Sequence, residues 1–252
     1  MIKRKKKDAS EDLDLGKIQK KNQKNGFIMT VAAMVVLVIL GRGVSYFNTI
    51  AANDISYAAW VSSVLAYLAE LLVCARVVLA IAGITYAVYS GTGAGKFLGA
   101  AACAALLDYG ARFLIDFVTN AIVGAEVVAA IWLFLQFVFE MLFVVLSCAV
   151  AGVMKRKFAS KEIRRQAEKY SVNRSCTVSL LLVMLSRIAL EIWYLVDFML
   201  AYSDITSTET ASIVGSFLKV IVIYGGVSVL LGEWYVERLK KQNELPQNVK
   251  RD

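Results

Sequence analysis

The sequence predicts an all-α integral membrane protein of six transmembrane helices. Three observations carry that reading. Apolar residues make up 58% of the chain and mean hydropathy is +0.61, against about 45–50% apolar for an ordinary soluble domain. The apolar residues collect into six runs, each long enough to cross a hydrocarbon core of ~30 Å. Lysine and arginine outside those runs fall on alternate connections only.

Residues 1–25 are polar and lysine-rich, from Lys3 to Lys24, with Asp8, Glu11, Asp12 and Asp14 among them. Having little to bury, they predict a disordered or weakly helical cytoplasmic tail. The first span covers about 27–47 and carries Arg42. A secretory signal cut near Ala51 and Ala52 fits less well, because its polar lead would be long and Arg42 would stand beside the cut. The second run, 58–90, is broken only by Glu70 and Arg76. At 1.5 Å per residue it is about 50 Å long, so it predicts one tilted or protruding helix. Folding it back as a re-entrant hairpin would put the basic segment 155–174 outside. Spans follow at about 97–119, 127–153, 176–200 and 211–236, and a tail occupies 237–252.

The connections after Phe47, Thr119 and Leu200 hold no Lys or Arg, whereas 23 basic residues lie on the opposite side. Under the positive-inside rule this predicts cytoplasmic N- and C-termini in a plasma-membrane-type bilayer, and six crossings satisfy the parity. Tyr57 and Trp60, at the outer end of the second span, suit the headgroup level. So do Tyr86 and Tyr89 at its inner end, and Trp234 and Tyr235 at the inner end of the sixth. The connection 155–175 is too short for a domain. Phe158, Ile163, Ala167 and Tyr170 fit one face of a basic helix lying on anionic lipid, and a solvated basic loop accounts for it equally well. The formal charge of +8 is absorbed by topology, so no nucleic-acid partner is expected. The expected partners are the lipid bilayer, a small solute or ion, and protein subunits.

An offset of 70 residues superposes Arg42 on Arg112, Glu70 on Glu140, Phe27 on Phe97 and Phe47 on Phe117. A weaker copy at offset 75 sets Arg112 and Asp116 against Arg187 and Glu191. This pattern suggests three pseudo-repeated helical hairpins, as repeats do in transporter folds. Apolar spans also match one another by chance.

The chemistry lies in the charges inside the spans. Arg42, Arg76, Arg112, Arg187 and Lys219 are accompanied by Glu70, Asp108, Asp116, Glu140 and Glu191. Each costs roughly 2.5–3.5 kcal/mol at mid-membrane, so they must pair, face the bundle interior or line water. Asp108, Arg112 and Asp116 follow i, i+4, i+8 spacing on one helix face, and Arg187 and Glu191 repeat i, i+4. We name Arg42, Glu70, Asp108, Arg112, Asp116, Glu140, Arg187 and Glu191 as substrate-binding or proton- and ion-relay residues. The arginines would hold anionic groups or neighbouring carboxylates. The central acids, Glu140 and Asp108, would bind a cation or carry protons. The expected function is a small-solute or ion transporter, or the membrane subunit of one. The alternative is a non-transporting scaffold whose charges are structural pairs.

An enzyme is not expected. The chain has no histidine, which removes the usual general base and the commonest metal ligand. Gly91-Thr-Gly-Ala-Gly-Lys96 fails the phosphate-loop pattern at Ser90 and Phe97 and predicts a tight turn. Cys74, Cys103, Cys148 and Cys176 lack metal-ligand spacing, so no metal or cofactor is expected. The small residues Gly99 to Ala105, and Gly225 with Gly226, predict close helix approach.

Overall fold

The computed structural model describes residues 2–52, 59–119, 126–159, 164–201 and 207–243. The readings placed on Tyr57 and Ile163 lie outside these residues. Those that turn on the side chains of Asp116, Phe158, Ala167 and Tyr170 also lie outside what is described.

Among the described residues every element is helical. In chain order they are α1 (Ile2–Ala52), α2 (Ala59–Ser90), α3 (Ala94–Thr119), α4 (Glu126–Ala159), α5 (Arg164–Ala201) and α6 (Ser207–Val220). A π-helical segment (Ile221–Val227) then joins α6 to α7 (Ser228–Asn243). Six helical stretches are long and apolar enough to cross a membrane, and the last runs from Ile213 to Lys241 through the π segment. The protein is thus an all-helical, membrane-embedded bundle of six candidate spans.

The apolar distribution is that of a protein dissolved in hydrocarbon. Large side chains such as Ile39, Leu114, Phe134, Trp193 and Leu230 face outward, and Leu230 is 70% exposed. Arg76, Asp108 and Glu140 are buried inside. Burying charge while exposing leucine is unfavourable in water. It is favoured where the surrounding solvent is lipid and the interior alone offers hydrogen-bond partners.

The core is built on α2, which packs against α1, α3, α4, α5 and α7. Its stretch from Val77 to Ile84 is apolar almost all round and buried throughout, as expected of a central helix. The expectation of one long helix over 58–90 agrees with α2. Helix α1 seals one side, with Met34 fully buried and Phe27 set edge-on against Phe97 at 4.9 Å between ring centroids. At Gly83 a Cβ would come 2.7 Å from the Phe97 ring, so glycine is what lets that ring sit against α2.

The turn between α2 and α3 is the tight one expected of the glycine-rich hexapeptide. Gly91 (φ 71°) and Gly93 (φ 56°) take left-handed conformations that a Cβ disfavours. Lys96 N–H closes onto the Gly93 carbonyl at 2.9 Å. The exposed carbonyls at the end of α2 are met from α4: Lys155 Nζ donates to Val88 O at 2.8 Å and to Tyr89 O at 3.1 Å. Orphan carbonyls at a helix end need such donors.

Several local expectations differ from the structure. The segment 1–25 continues α1 as helix from Ile2, because Lys and Glu are good helix formers and a span already supplies the nucleus. The basic segment 155–175 is not a separate helix. Residues 155–159 extend α4 and residues 164–175 begin α5. Tyr235 faces the bundle interior and is buried, with its hydroxyl 2.7 Å from Thr30 Oγ1 of α1. Gly99 faces open space, so the close packing of that stretch falls to Ala101, Ala104 and Ala105. Gly225 does mark a close approach, to Met184 of α5, whereas Gly226 faces open space.

Candidate functional site

Four of the intramembrane charges form one chain of ion pairs at the bundle centre. Arg42 of α1 meets Asp108 of α3 through two parallel bonds, Nε to Oδ1 at 2.6 Å and Nη2 to Oδ2 at 2.9 Å. Arg76 of α2 reaches the same carboxylate from the other side, Nη2 to Oδ2 at 3.1 Å. Arg76 also forks onto Glu140 of α4, Nη1 to Oε1 at 2.7 Å and Nη2 to Oε2 at 2.9 Å. Tyr109 donates its hydroxyl to Glu140 Oε2 at 3.0 Å. Each carboxylate thus accepts three hydrogen bonds, and the four charges sum to zero. Such forked, charge-assisted bonds are the strong kind. Isolated at mid-membrane, the four groups would cost together about 10–14 kcal/mol on insertion scales, which is why the sequence places partners for them on four different helices.

A second pair lies nearer the exposed rim. Lys219 Nζ of α6 stands 2.9 Å from Glu70 Oε2 of α2, with both side chains about a quarter exposed. The Lys219 ammonium also lies 6.0 Å from the centre of the Tyr67 ring.

Beside the ion-pair chain is a cavity of about 330 Å³. It lies toward the end of the bundle where α1 and α3 finish and α2 begins. Its wall includes Arg42, Ser45, Asn48 and Thr49 of α1, Glu70 of α2, Tyr109 and Arg112 of α3, Gln136 of α4, Arg187 of α5, and Tyr224 of the π segment. Among the described residues, three of the four charged side chains on that wall are arginines. Arg112 donates to Gln136 Oε1 at 3.2 Å. Arg187 makes no ion pair among the described residues, and its guanidinium lies 5.2 Å from the Tyr224 ring centre. A cation–π contact contributes ~0.5–2 kcal/mol, less than a mid-membrane charge costs. The Asn48 side-chain carbonyl has no hydrogen-bond partner among the described residues.

The π segment is what brings Tyr224 to Arg187. Its extra residue per turn breaks the ladder of the sixth span, and such insertions recur at functional sites. Ser228 donates its hydroxyl back to the Tyr224 carbonyl, which satisfies one of the groups the irregular turn frees.

The eight residues named from sequence therefore divide. Arg42, Glu70, Arg112 and Arg187 meet on the cavity wall. Asp108 and Glu140 lie behind it, both closed off by arginine, so the central acids do not present themselves to a cation. Glu191 is not on the wall and has no ion-pair partner among the described residues. The pairing of Arg187 with Glu191 suggested by their spacing is absent, because Arg187 turns inward to Tyr224. Asp116 lies in α3, and its side chain is outside what is described. The two glutamates that the 70-residue offset superposes play different parts: Glu70 holds Lys219, whereas Glu140 holds Arg76. Sequence reasoning left Arg76, Tyr109, Gln136 and Tyr224 out of the site. Arg76 was visible as an intramembrane cation, and Tyr109 and Gln136 as polar groups one and four residues from named acids. Nothing in the pattern pointed to Tyr224 except the adjacent Gly225 and Gly226.

The four cysteines are free, with Cys74 and Cys176 buried. Among the described residues no group of ligands is placed to hold a metal. Fold and site together define a six-helix membrane bundle with a neutral ion-pair core and an arginine-rich cavity beside it. Comparisons with protein-family models, curated proteins and solved structures return no match.

Proposed function

We propose that this protein is a small transporter, or the membrane subunit of one, and that its solute binds in the arginine-lined cavity. The observation that carries the reading is a polar space of about 330 Å³, of small-molecule size, bounded by ionisable side chains in helices apolar enough to span a bilayer. Intramembrane ionisable groups that line a cavity mark solute or ion paths. The basic-residue asymmetry supports cytoplasmic termini in a plasma-membrane setting. In that orientation the cavity lies in the outer half of the bilayer, on the side of the short uncharged connections. The long basic extensions of α4 and α5 would then meet anionic lipid or partner subunits on the inner side.

The scaffold reading has its own support in the ion-pair chain. Arg42, Asp108, Arg76 and Glu140 satisfy one another and fix the register of α1 to α4. That role is compatible with transport, since it leaves Arg187, which makes no ion pair among the described residues, to the solute.

Two measurements test the reading. In a cysteine-free background, Ser45→Cys and Thr49→Cys place thiols on the cavity wall. A water-soluble, membrane-impermeant thiol reagent is expected to label them. Thermal stability of the purified protein against a panel of ions and metabolites is expected to identify a ligand, because binding to the native state raises stability by mass action. Unlabelled cavity thiols together with no stabilising ligand would refute transport and leave the scaffold.

A further inference from the structure

Resting on the cavity as the solute site, we infer that its ligand is an anion bearing a phosphate or carboxylate group, held by Arg187. The charge on the wall points that way. Among the described residues its one carboxylate, Glu70, already holds Lys219 at 2.9 Å, and the two central acids are bonded to Arg42 and Arg76. Arg187 faces the space with its guanidinium 5.2 Å from the Tyr224 ring centre and makes no ion pair among the described residues, although Glu140 and Glu70 are near enough to act on it electrostatically. A planar guanidinium offers a fork of donors that fits two oxygens of an oxyanion. In a site of low dielectric, a cation that is not in a direct ion pair favours an anion far more strongly than it would in water. Among the described residues, a cation entering the same space would meet Arg112, Arg187 and the Asp108-bound Arg42, and no carboxylate that is not already in an ion pair.

The anion has two possible sources, and the surroundings make both worth testing. Water-soluble phosphate or a small carboxylate fits the polar cavity alone. The headgroup of a single-chain amphiphile would also use an apolar groove of about 380 Å³ between α4 and α5, lined by Phe139, Phe143, Leu190 and Trp193. Gln136 borders both spaces, and a gap of about 20 Å³ whose wall includes Gln136, Arg187 and the Arg76-bound Glu140 lies between them.

The test uses the full chain in nanodiscs of uncharged, zwitterionic lipid at fixed ionic strength. The melting temperature is followed against sodium phosphate, with sodium chloride as its control, and against dodecyl phosphate, with dodecyl maltoside as its control. A saturable rise is expected with phosphate or dodecyl phosphate and with neither control. A rise with phosphate assigns the ligand to the aqueous phase, and a rise with dodecyl phosphate alone assigns it to an amphiphile. Arg187→Gln is expected to abolish the rise and Arg187→Lys to weaken it several-fold. Glu70→Gln, which removes a negative charge from the wall and frees Lys219, is expected to strengthen it. If Arg187→Gln does not fold, the opposite signs of Arg187→Lys and Glu70→Gln still decide. No rise with either probe, a rise untouched at Arg187, or a weaker rise in Glu70→Gln would overturn the inference. Stabilisation by cations alone would overturn it and leave the transport reading intact. Unlabelled cavity thiols would remove both.

Discussion

Replacing Asp108 by asparagine removes the charge that Arg42 and Arg76 share, and turns one acceptor oxygen into a donor facing guanidinium N–H groups. Asp108 is 1% exposed and Arg76 2% exposed, so water cannot take over. Arg76 keeps Glu140, but Arg42, 13% exposed, loses its only ion pair among the described residues. Removing one partner of a buried pair costs about 3–5 kcal/mol. Unfolded states within a membrane find substitute partners and lower such costs, which places the expected loss near 3 kcal/mol. At about 2–4 °C per kcal/mol for a chain of this size, the melting temperature should fall by about 6–12 °C. Equilibrium unfolding by steric trapping in bicelles measures the free energy directly. The double variant Arg42→Gln with Asp108→Asn leaves no unpaired charge at that joint. It should lose less than the sum of its two single variants, by about 1.5 kcal/mol or more. A single variant within about 0.5 kcal/mol of wild type, or strictly additive losses, would refute the view that these residues form one coupled chain.

Breaking the rim pair should be mild by comparison: Lys219→Met is expected to lose no more than about 1 kcal/mol, because both partners are about a quarter exposed and such pairs contribute little. The same unfolding assay decides. Tyr235→Phe removes the hydroxyl contact with Thr30. It should lose about 0.6 kcal/mol, the usual worth of an interhelical bond in a membrane. Thr30 still donates to the Gly26 carbonyl at 2.8 Å, so no buried donor is orphaned. Gly225→Leu drives a side chain into Met184 and should lose about 1–3 kcal/mol through overpacking. It should also displace Tyr224, which is read as weakened ligand stabilisation. For topology, Asp54→Cys in a cysteine-free background should react with an impermeant reagent added outside cells, and Lys5→Cys should react only after lysis.

Much of the architecture was legible in the sequence because lipid imposes one dominant rule, a long apolar run for each crossing. The bounds of α2, the glycine turn after it and the existence of a charged core all follow from local composition. Pairing among the charges did not. Spacing along a single helix relates Asp108 to Arg112 and Arg187 to Glu191, yet the bonds that form run between helices: Asp108 to α1 and α2, Arg187 to the sixth span. A helix face tells which residues point the same way and is silent about which neighbour they meet. Arg76 was undervalued for the same reason, since its worth comes from bridging two acids on two other helices. The π segment was hidden because it depends on how Tyr224 packs, and the only local cue was a pair of glycines.

The central claim is that the intramembrane charges divide into a closed scaffold and an open site. The most direct test compares Asp108→Asn and Arg187→Gln side by side, reading melting temperature in nanodiscs with and without saturating phosphate or dodecyl phosphate. The account predicts opposite behaviour. Asp108→Asn should melt several degrees below wild type and keep its anion-dependent rise. Arg187→Gln should melt at or above wild type, since it removes a charge that has no ion pair among the described residues, and show no rise. A stable Asp108→Asn without the rise, or a destabilised Arg187→Gln that keeps it, would contradict the division.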